Sequence, residues 1–472
     1  MLSRLASVQL KFAPEFVFTS RFLKRFKCGA VAGKSSSLNP VTRQLSTSVA
    51  RNQDMSNITP AKRLDGLDNN IWVEYSALAV QTKAINLGQG FPDYSPPKFV
   101  MDALSEASQQ PMLQQYTRGP GHPRLVKALA NIYGPIYGKE IDPMTEVLIS
   151  CGAYSSLSFA IQGFLQEGDE VILIEPFFDC YYPMAKQNGA TVKYVPLRPR
   201  GKYPGMSKDW AVDIQELEAA VSKNTKMLVI NTPNNPFGKV FSREELEELA
   251  DVCRRHDLLC VSDEVYEWLV YPGSQHIKIA TLPGMWERTI TIGSAGKTFH
   301  ATGWKTGWSI GPANLLKPMS VCQNNTAYTM VTPIQEALAV GLEHELKCFG
   351  EPDSFFSQTV QNLMRKRDEV VAVLRETGLS PIVPEGGYFV MADITSIGKK
   401  FEGGAESYDF QFTKWMMREK GIASIPPSAF YGPDHKDMGA NLVRFCFCKQ
   451  DETLQAAYKV LRQWAEERRQ EN

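Results

Sequence analysis

From residue 145 onward, short runs of consecutive apolar residues alternate with longer segments in which apolar residues recur every three or four positions. The first pattern predicts strands buried on both faces, and the second predicts amphipathic helices packed against them. EVLIS, DEVILIEP, ATVKYVPL, KMLVINTP, LLCVSDEVY and RTITIGSA read as strands. SSLSFAIQGFLQ, the region of YYPMAKQNG and SREELEELADVCRRH carry the helical period between them. Ser242 with Glu245 three positions later forms a capping box, which fixes the start of the last of these helices. The alternation predicts an α/β fold with a mostly parallel sheet covered by helices on both faces. After about residue 340 the pattern changes to a long helix, QNLMRKRDEVVAVLRETG, then PEGGYFVMADI, the helix YDFQFTKWMMREKG, the strand NLVRFCFCK and a charged terminal helix. This part predicts a second, smaller α+β domain.

Parallel sheets build their sites beyond the carboxyl ends of the strands. The unusual residues of this chain fall there: Gly152 and Ala153 after EVLIS, Phe178 after VILIEP, Asn235 after LVINTP, Asp263 after LLCVS and Lys297 after TITIG. Lys297 lies in TIGSAGKTFHATGW, where a phosphate-binding P-loop would need a glycine at Thr291 and a continuous helix afterwards. Gly303, Gly307 and two tryptophans oppose such a helix, so the nucleotide reading fails in spacing and in context. Taken singly, each residue also has a structural explanation. Asp263 caps a turn, Tyr266 packs, Asn235 shapes the NTPNNPFG turn, Phe178 is core and Arg444 is an edge-strand charge. His300 is read as structural or lining, with no chemical role.

Composition narrows the partners. Across 472 residues, 51 Lys and Arg balance 51 Asp and Glu, so nothing resembles the electrostatic footprint of a nucleic-acid binder. Small-molecule partners are expected. The nine cysteines lack CxxC spacing and include Cys151, Cys180, Cys260, Cys446 and Cys448 in apolar runs, which predicts reduced thiols. The six histidines form no HExxH or HxxxH pair, and no metal site is expected. Residues 1–53 differ from the rest, with nine Lys or Arg, one acid (Glu15), and SSS and STS clusters. They read as a mitochondrial transit peptide over residues 1–45, with Arg43 shortly before a cut, and Met55 as an alternative start for a cytosolic form. Lys11, Arg21, Lys24, Arg25 and Lys27 interrupt any membrane-spanning run there.

SAGKTFHATGWKTGW, NTPNNPFGK, SDEVYEWLVY, NLGQGFPD and QYTRGPGHP together resemble the fold type I pyridoxal phosphate aminotransferases. The resemblance is strongest to the group of kynurenine aminotransferases, glutamine transaminase K and cysteine-S-conjugate β-lyases, and extends over about residues 60–465. It implies a large cofactor-binding domain (96–340) with a seven-stranded, mostly parallel sheet and a small C-terminal domain (341–472) that the segment 60–95 joins. Lys297 matches the family's Schiff-base lysine, whose amine also moves the substrate proton. Asp263 matches the carboxylate that keeps the ring nitrogen protonated, Asn235 and Tyr266 the donors to the ring's 3′ oxygen, and Phe178 the aromatic stacked on the ring. Gly152, Ala153 and Tyr154 match the amides that hold the phosphate, with Ser294, Lys305 and, from a neighbouring subunit, Tyr116. Arg444 matches the clamp on the substrate α-carboxylate, for which a planar fork suits better than lysine. Asn235, Gly90, Trp72 and Tyr328 match further substrate contacts. Three positions depart from the family pattern: His300 stands for a small residue, Asn234 for a frequent histidine, and Thr329 for a histidine of one relative.

The implied activity is a two-stroke amino transfer in a homodimer with shared sites. The expected donors are kynurenine and other aromatic, glutamine and sulfur amino acids, and the acceptor is a 2-oxo acid. Cysteine-S-conjugate β-lyase activity is expected alongside. The alternatives are another reaction on this scaffold, such as that of the aminocyclopropane-carboxylate synthase type, or a non-catalytic regulator. Regulators built on this scaffold carry a helix-turn-helix, and the basic N-terminus shows no such pattern.

Overall fold

The computed structural model describes residues 58–68, 70–201, 205–401 and 403–471. The expected transit peptide, the arginine before its cut and the Met55 start lie outside the described residues. Pro60–Asn472 forms one compact unit. Among the described residues, no helix is long and apolar enough to cross a membrane.

The central sheet has eight strands in the order Val147–Ser150, Gly307–Ile310, Thr289–Ser294, Leu259–Asp263, Thr225–Asn231, Glu170–Glu175, Thr191–Pro199 and Trp210–Val212. The five from Thr289–Ser294 to Thr191–Pro199 pair in parallel. Their cores are buried on both faces, as the unbroken apolar runs require. The eighth strand corrects the expected seven. Trp210–Val212 is three residues long and pairs antiparallel with Thr191–Pro199, too short to register in the sequence pattern. Gly307–Ile310 was also absent from the strands read by pattern. It runs antiparallel between Val147–Ser150 and Thr289–Ser294. Smaller sheets complete the fold: three antiparallel strands, Ser380–Ile382, Phe389–Asp393 and Leu442–Cys446, and a parallel pair, Ile85–Asn86 with Ile422–Ala423.

Helix Arg243–Arg255 shows how local chemistry and the site are joined. Ser242 Oγ accepts from the Glu245 amide at 3.2 Å and Glu245 Oε2 accepts from the Ser242 amide at 2.9 Å, completing the capping box read from sequence. Leu246, Leu249, Ala250 and Cys253 bury one face at helical spacing. The same Glu245 carboxylate pairs at 2.9 Å with the buried Lys239 amine, so the cap also anchors the turn that carries Asn235.

At the opposite end of the site, strand Gly307–Ile310 runs against the N-terminus of helix Gly152–Phe164. A Cβ on Gly307 would lie 2.4 Å from the Ala153 nitrogen and 2.6 Å from the Gly152 carbonyl carbon. Both neighbours are backbone and cannot yield. Gly307→Ala is therefore expected to lose about 1–3 kcal/mol of stability in urea unfolding; a loss below about 0.5 kcal/mol, the range of an inert surface change, would contradict this packing.

Candidate active site

Because the central strands are parallel, their carboxyl ends meet along one edge of the sheet, and a cavity of about 420 Å³ opens there. Its walls include Trp72, Gly90, Gly152, Ala153, Tyr154, Phe178, Asn235, Asp263, Tyr266, Ser294, Lys297, Lys305 and Arg444, thirteen of the fifteen site residues expected from sequence. Tyr116 and Tyr328 stand apart. They are 82% and 61% exposed, with rings edge-on at 5.5 Å, and neither lines this chain's cavity.

Lys297 projects from the single helical turn Ala295–Thr298 at the end of Thr289–Ser294. Its amine donates to Gly90 O at 3.0 Å and to Tyr388 Oη at 2.7 Å. Burial, which disfavours the ammonium, brings its pKa down to about 8. Asp263, the last residue of its strand, is buried with no cation paired to it within salt-bridge distance among the described residues. Desolvation pushes its carboxyl up to about 6, against a 2.6 Å hydrogen bond from Tyr181 and a weaker one from the Val265 amide.

Arg444 is fully buried in strand Leu442–Cys446, its guanidinium 4.1 Å from the centre of the Phe389 ring. Nη1 donates to Asn235 Oδ1 at 2.9 Å and Nη2 to Gly88 O at 2.8 Å, while Nε has no partner among the described residues. Burial lowers its pKa to about 10. A buried cation without a paired carboxylate is costly, and an incoming carboxylate relieves that cost. Trp72, one residue into helix Ile71–Thr82, closes this end by donating Nε1–H to Asp179 Oδ2 at 2.7 Å.

At the other end, helix Gly152–Phe164 opens on Cys151, which makes no side-chain cap, so its first amides face the cavity unpaired by a capping group. The Ser294 hydroxyl likewise makes no cap bond. A Cβ on Gly152 would sit 3.4 Å from Lys305 Nζ, which places that amine over the helix N-terminus. Amides, a hydroxyl and an ammonium converging on a helix N-terminus suit a phosphate dianion. Phe178 and Tyr154, edge-on at 6.4 Å, flank the space between this end and Asp263. The donor set therefore fits a flat, phosphorylated, cationic-ring cofactor.

Sequence reasoning missed Tyr388, Tyr181 and Asp179. Tyr181 follows Phe178 by three residues in FFDCY and was recoverable only as a buried aromatic; Tyr388 meets Lys297 across 91 residues, which no local pattern encodes. Cys151, expected in an apolar run, is exposed, because the strand ends one residue before it. His300 lies outside the cavity, packed edge-on to Tyr94 and Phe355, and burial lowers its pKa to about 4.

A sheet edge that gathers a reactive amine, a ring-sized slot with a carboxylate at its floor and a carboxylate-seeking arginine defines a transferase acting on amino acids. The profile of the aminotransferase class I and II family matches residues 82–461, and the chain belongs to that family. It is 52% identical over 408 residues to kynurenine–oxoglutarate transaminase 3 of Mus musculus, covering 86% of this chain and 90% of the relative. It is 48% identical over 412 residues to kynurenine–oxoglutarate transaminase 1 of Homo sapiens, with 86% and 98% covered. Among solved structures, N-succinyldiaminopimelate aminotransferase from Mycobacterium tuberculosis superposes with a TM-score of 0.79 at 37% identity, covering 86% of this chain and all of that one (100%). The protein is a transaminase, and its family implies pyridoxal phosphate as cofactor.

Directly behind Asp263 and Tyr266 lies a buried ionic cluster. Lys278 Nζ pairs with Glu264 at 2.7 Å and also with Glu267, His276 meets Glu264 at 2.8 Å, and Tyr133 donates to Glu267. The lysine ammonium sits between the two carboxylates. Burial alone would raise the Glu264 pKa, but Lys278 and His276 bring it from 4.5 to about 2. A carboxyl more acidic in the folded than in the unfolded chain stabilises the fold above the unfolded pKa and ceases to do so as pH falls through the folded one. Stability in urea is thus expected to drop between about pH 5 and pH 2. Lys278→Met is expected to cost about 3–5 kcal/mol at neutral pH and to flatten that slope; a variant with wild-type stability and pH dependence would contradict the cluster's role.

Proposed function

We propose that this transaminase binds pyridoxal 5′-phosphate through Lys297 and moves the amino group of kynurenine and of other aromatic, glutamine or sulfur amino acids to a 2-oxo acid. The observation that carries the reading is Arg444, a buried cation with an unpartnered Nε in the same cavity as the desolvated Lys297 amine. The donor class rests on the names of the relatives, which include kynurenine–oxoglutarate transaminases 1 and 3 at similar identity.

When bound, the cofactor supplies an electron sink for the substrate's α-carbon. The chain's own residues do the rest. The buried Asp263 carboxylate would hold the ring nitrogen and keep it protonated. Asn235 and Tyr266 would hold the 3′ oxygen, and Phe178 would hold the ring. The amides of Gly152, Ala153 and Tyr154, with Ser294 and Lys305, would hold the phosphate. Arg444 and Asn235 take the α-carboxylate, while Gly90 and Trp72 cover the substrate and limit water. Lys297 removes the α-proton and returns it during the transfer. When the donor's β-carbon bears a good leaving group, the same proton removal expels it, giving cysteine-S-conjugate β-lyase activity. Arg444 opposes decarboxylation, because it secures the group that would leave.

The exposed Tyr116 and Tyr328 reach a second copy in this reading, which makes the working unit a homodimer with shared sites. Residues 96–340 form the cofactor-binding domain, and residues 341–472 with 60–95 form the smaller one. Residues 1–45 direct the protein to the mitochondrial matrix, and initiation at Met55 leaves a cytosolic form.

A panel of donors and acceptors tests the activity. Kynurenine, glutamine, methionine and phenylalanine are expected to outpace alanine and aspartate, with pyruvate released from an S-conjugate and Lys297→Ala slower by at least about 10²–10⁴-fold. Kynurenine turning over no faster than alanine would reject the donor class. Residues 1–50 fused to a fluorescent reporter are expected to enter mitochondria; a reporter left wholly in the cytosol would reject the targeting.

A further inference from the structure

Tyr388, the tyrosine of PEGGYFVMADI, has no role in the sequence pattern, yet among the described residues its hydroxyl is one of two polar atoms bonded to the Lys297 amine. Lys297 Nζ donates to Tyr388 Oη at 2.7 Å and to Gly90 O at 3.0 Å, and the Tyr388 hydroxyl donates to the same Gly90 oxygen at 2.8 Å. The three groups close a ring of hydrogen bonds. Since the phenol's hydrogen is committed to the carbonyl, its oxygen can only accept from the amine. A neutral primary amine has two N–H groups and one lone pair. With both hydrogens taken, the lone pair is left free to receive a proton, and the same two acceptors then hold the ammonium. Tyr388 is 1% exposed, and its ring is fixed edge-on to Tyr266 at 5.0 Å and against Phe389 at 4.9 Å, so the seat is rigid.

Resting on the reading of Lys297 as the base of the transfer, we propose that Tyr388 is a further catalytic residue, whose phenol oxygen, with the Gly90 carbonyl, seats the Lys297 amine and steadies the proton it carries. In the first half of the step the substrate's Cα–H bond would break, its electron pair would stay on the substrate, for which the bound cofactor would supply the sink, and an N–H bond would form on Lys297. In the second half that N–H bond breaks and the proton joins the neighbouring carbon. Tyr388 gains and loses no proton. Its contribution is to offset burial, which alone would leave the amine too weak a base to take the α-proton. The other titratable groups near the amine are Cys446, which favours its proton, Cys448, whose buried thiol is pushed well above its ordinary pKa and stays neutral, Arg444 and Lys305, which oppose it, and the Asp263 carboxylate, which attracts it.

Tyr388→Phe removes one oxygen and keeps the ring. In cofactor-free protein, the reaction of Lys297 with an arylating reagent is followed peptide by peptide by mass spectrometry across a pH series. Loss of a hydrogen-bond acceptor for the ammonium is expected to lower the titration midpoint by about one pH unit or more. In the cofactor-loaded enzyme, kcat is expected to fall about ten- to hundredfold with KM within about threefold. An unchanged midpoint, or an unchanged kcat, would overturn the proposal. If the phenylalanine variant does not fold, Tyr388→Leu, which also removes the acceptor oxygen and adds no titratable group, carries the same comparison with the same expected signs. Because the labelling uses cofactor-free protein, wild-type protein that failed to take up cofactor would count against the reading of the site and leave the Tyr388 seat to be judged by its titration.

Discussion

The Lys297 amine is held at the carboxyl edge of a parallel sheet, where loss of water brings its pKa to about 8 and Gly90 O and Tyr388 Oη take its hydrogens. Most of the architecture serves this placement. The strand Thr289–Ser294 delivers the lysine, the segment from Ile85 to Phe91 supplies the carbonyl, and the residue just before strand Phe389–Asp393 of the three-stranded sheet supplies the phenol. An amine on an exposed loop would stay protonated and hydrated at neutral pH, with no lone pair to offer. Burial therefore provides the reactivity, and the parallel sheet provides the burial.

Two other charges in the cavity are left short of partners in the same way. Among the described residues, Asp263 has a phenol and an amide but no paired cation, and Arg444 has an amide oxygen and a carbonyl but no paired carboxylate. Both are under-compensated in the protein alone, and both are complemented by what a transaminase binds: a cationic ring and an α-carboxylate. The contrast with Lys278 and Glu264 is instructive. These groups lie immediately behind the cavity wall and satisfy each other within 2.7 Å. One set of buried charges rigidifies the wall; the other waits for ligands.

Much of this was legible in the chain, for reasons that differ by level. The near-continuous apolar runs fixed the parallel strands, and the strand-end rule then picked out Gly152, Phe178, Asn235, Asp263 and Lys297, all of which line one cavity. The capping box at Ser242 and Glu245 was readable because it is local, four residues of backbone and two side chains. Trp210–Val212 was too short to show a period, and Gly307–Ile310 was masked by glycine and tryptophan, which read as turn. Tyr388, Tyr181 and Asp179 escaped because their meaning lies in contacts across chain separations of 91, 82 and 107 residues. The individual roles within the cavity came from resemblance to a family, since spacing alone left Asp263, Asn235 and Arg444 with adequate structural explanations.

The most direct measurement of the account is covalent capture at one side chain. Purified protein incubated with pyridoxal 5′-phosphate, reduced with borohydride and digested should yield a peptide carrying the phosphopyridoxyl mass on Lys297, preceded by visible absorbance that the reduction removes. Protein that binds no cofactor, or that carries the adduct on another lysine while Lys297 stays free, would contradict it.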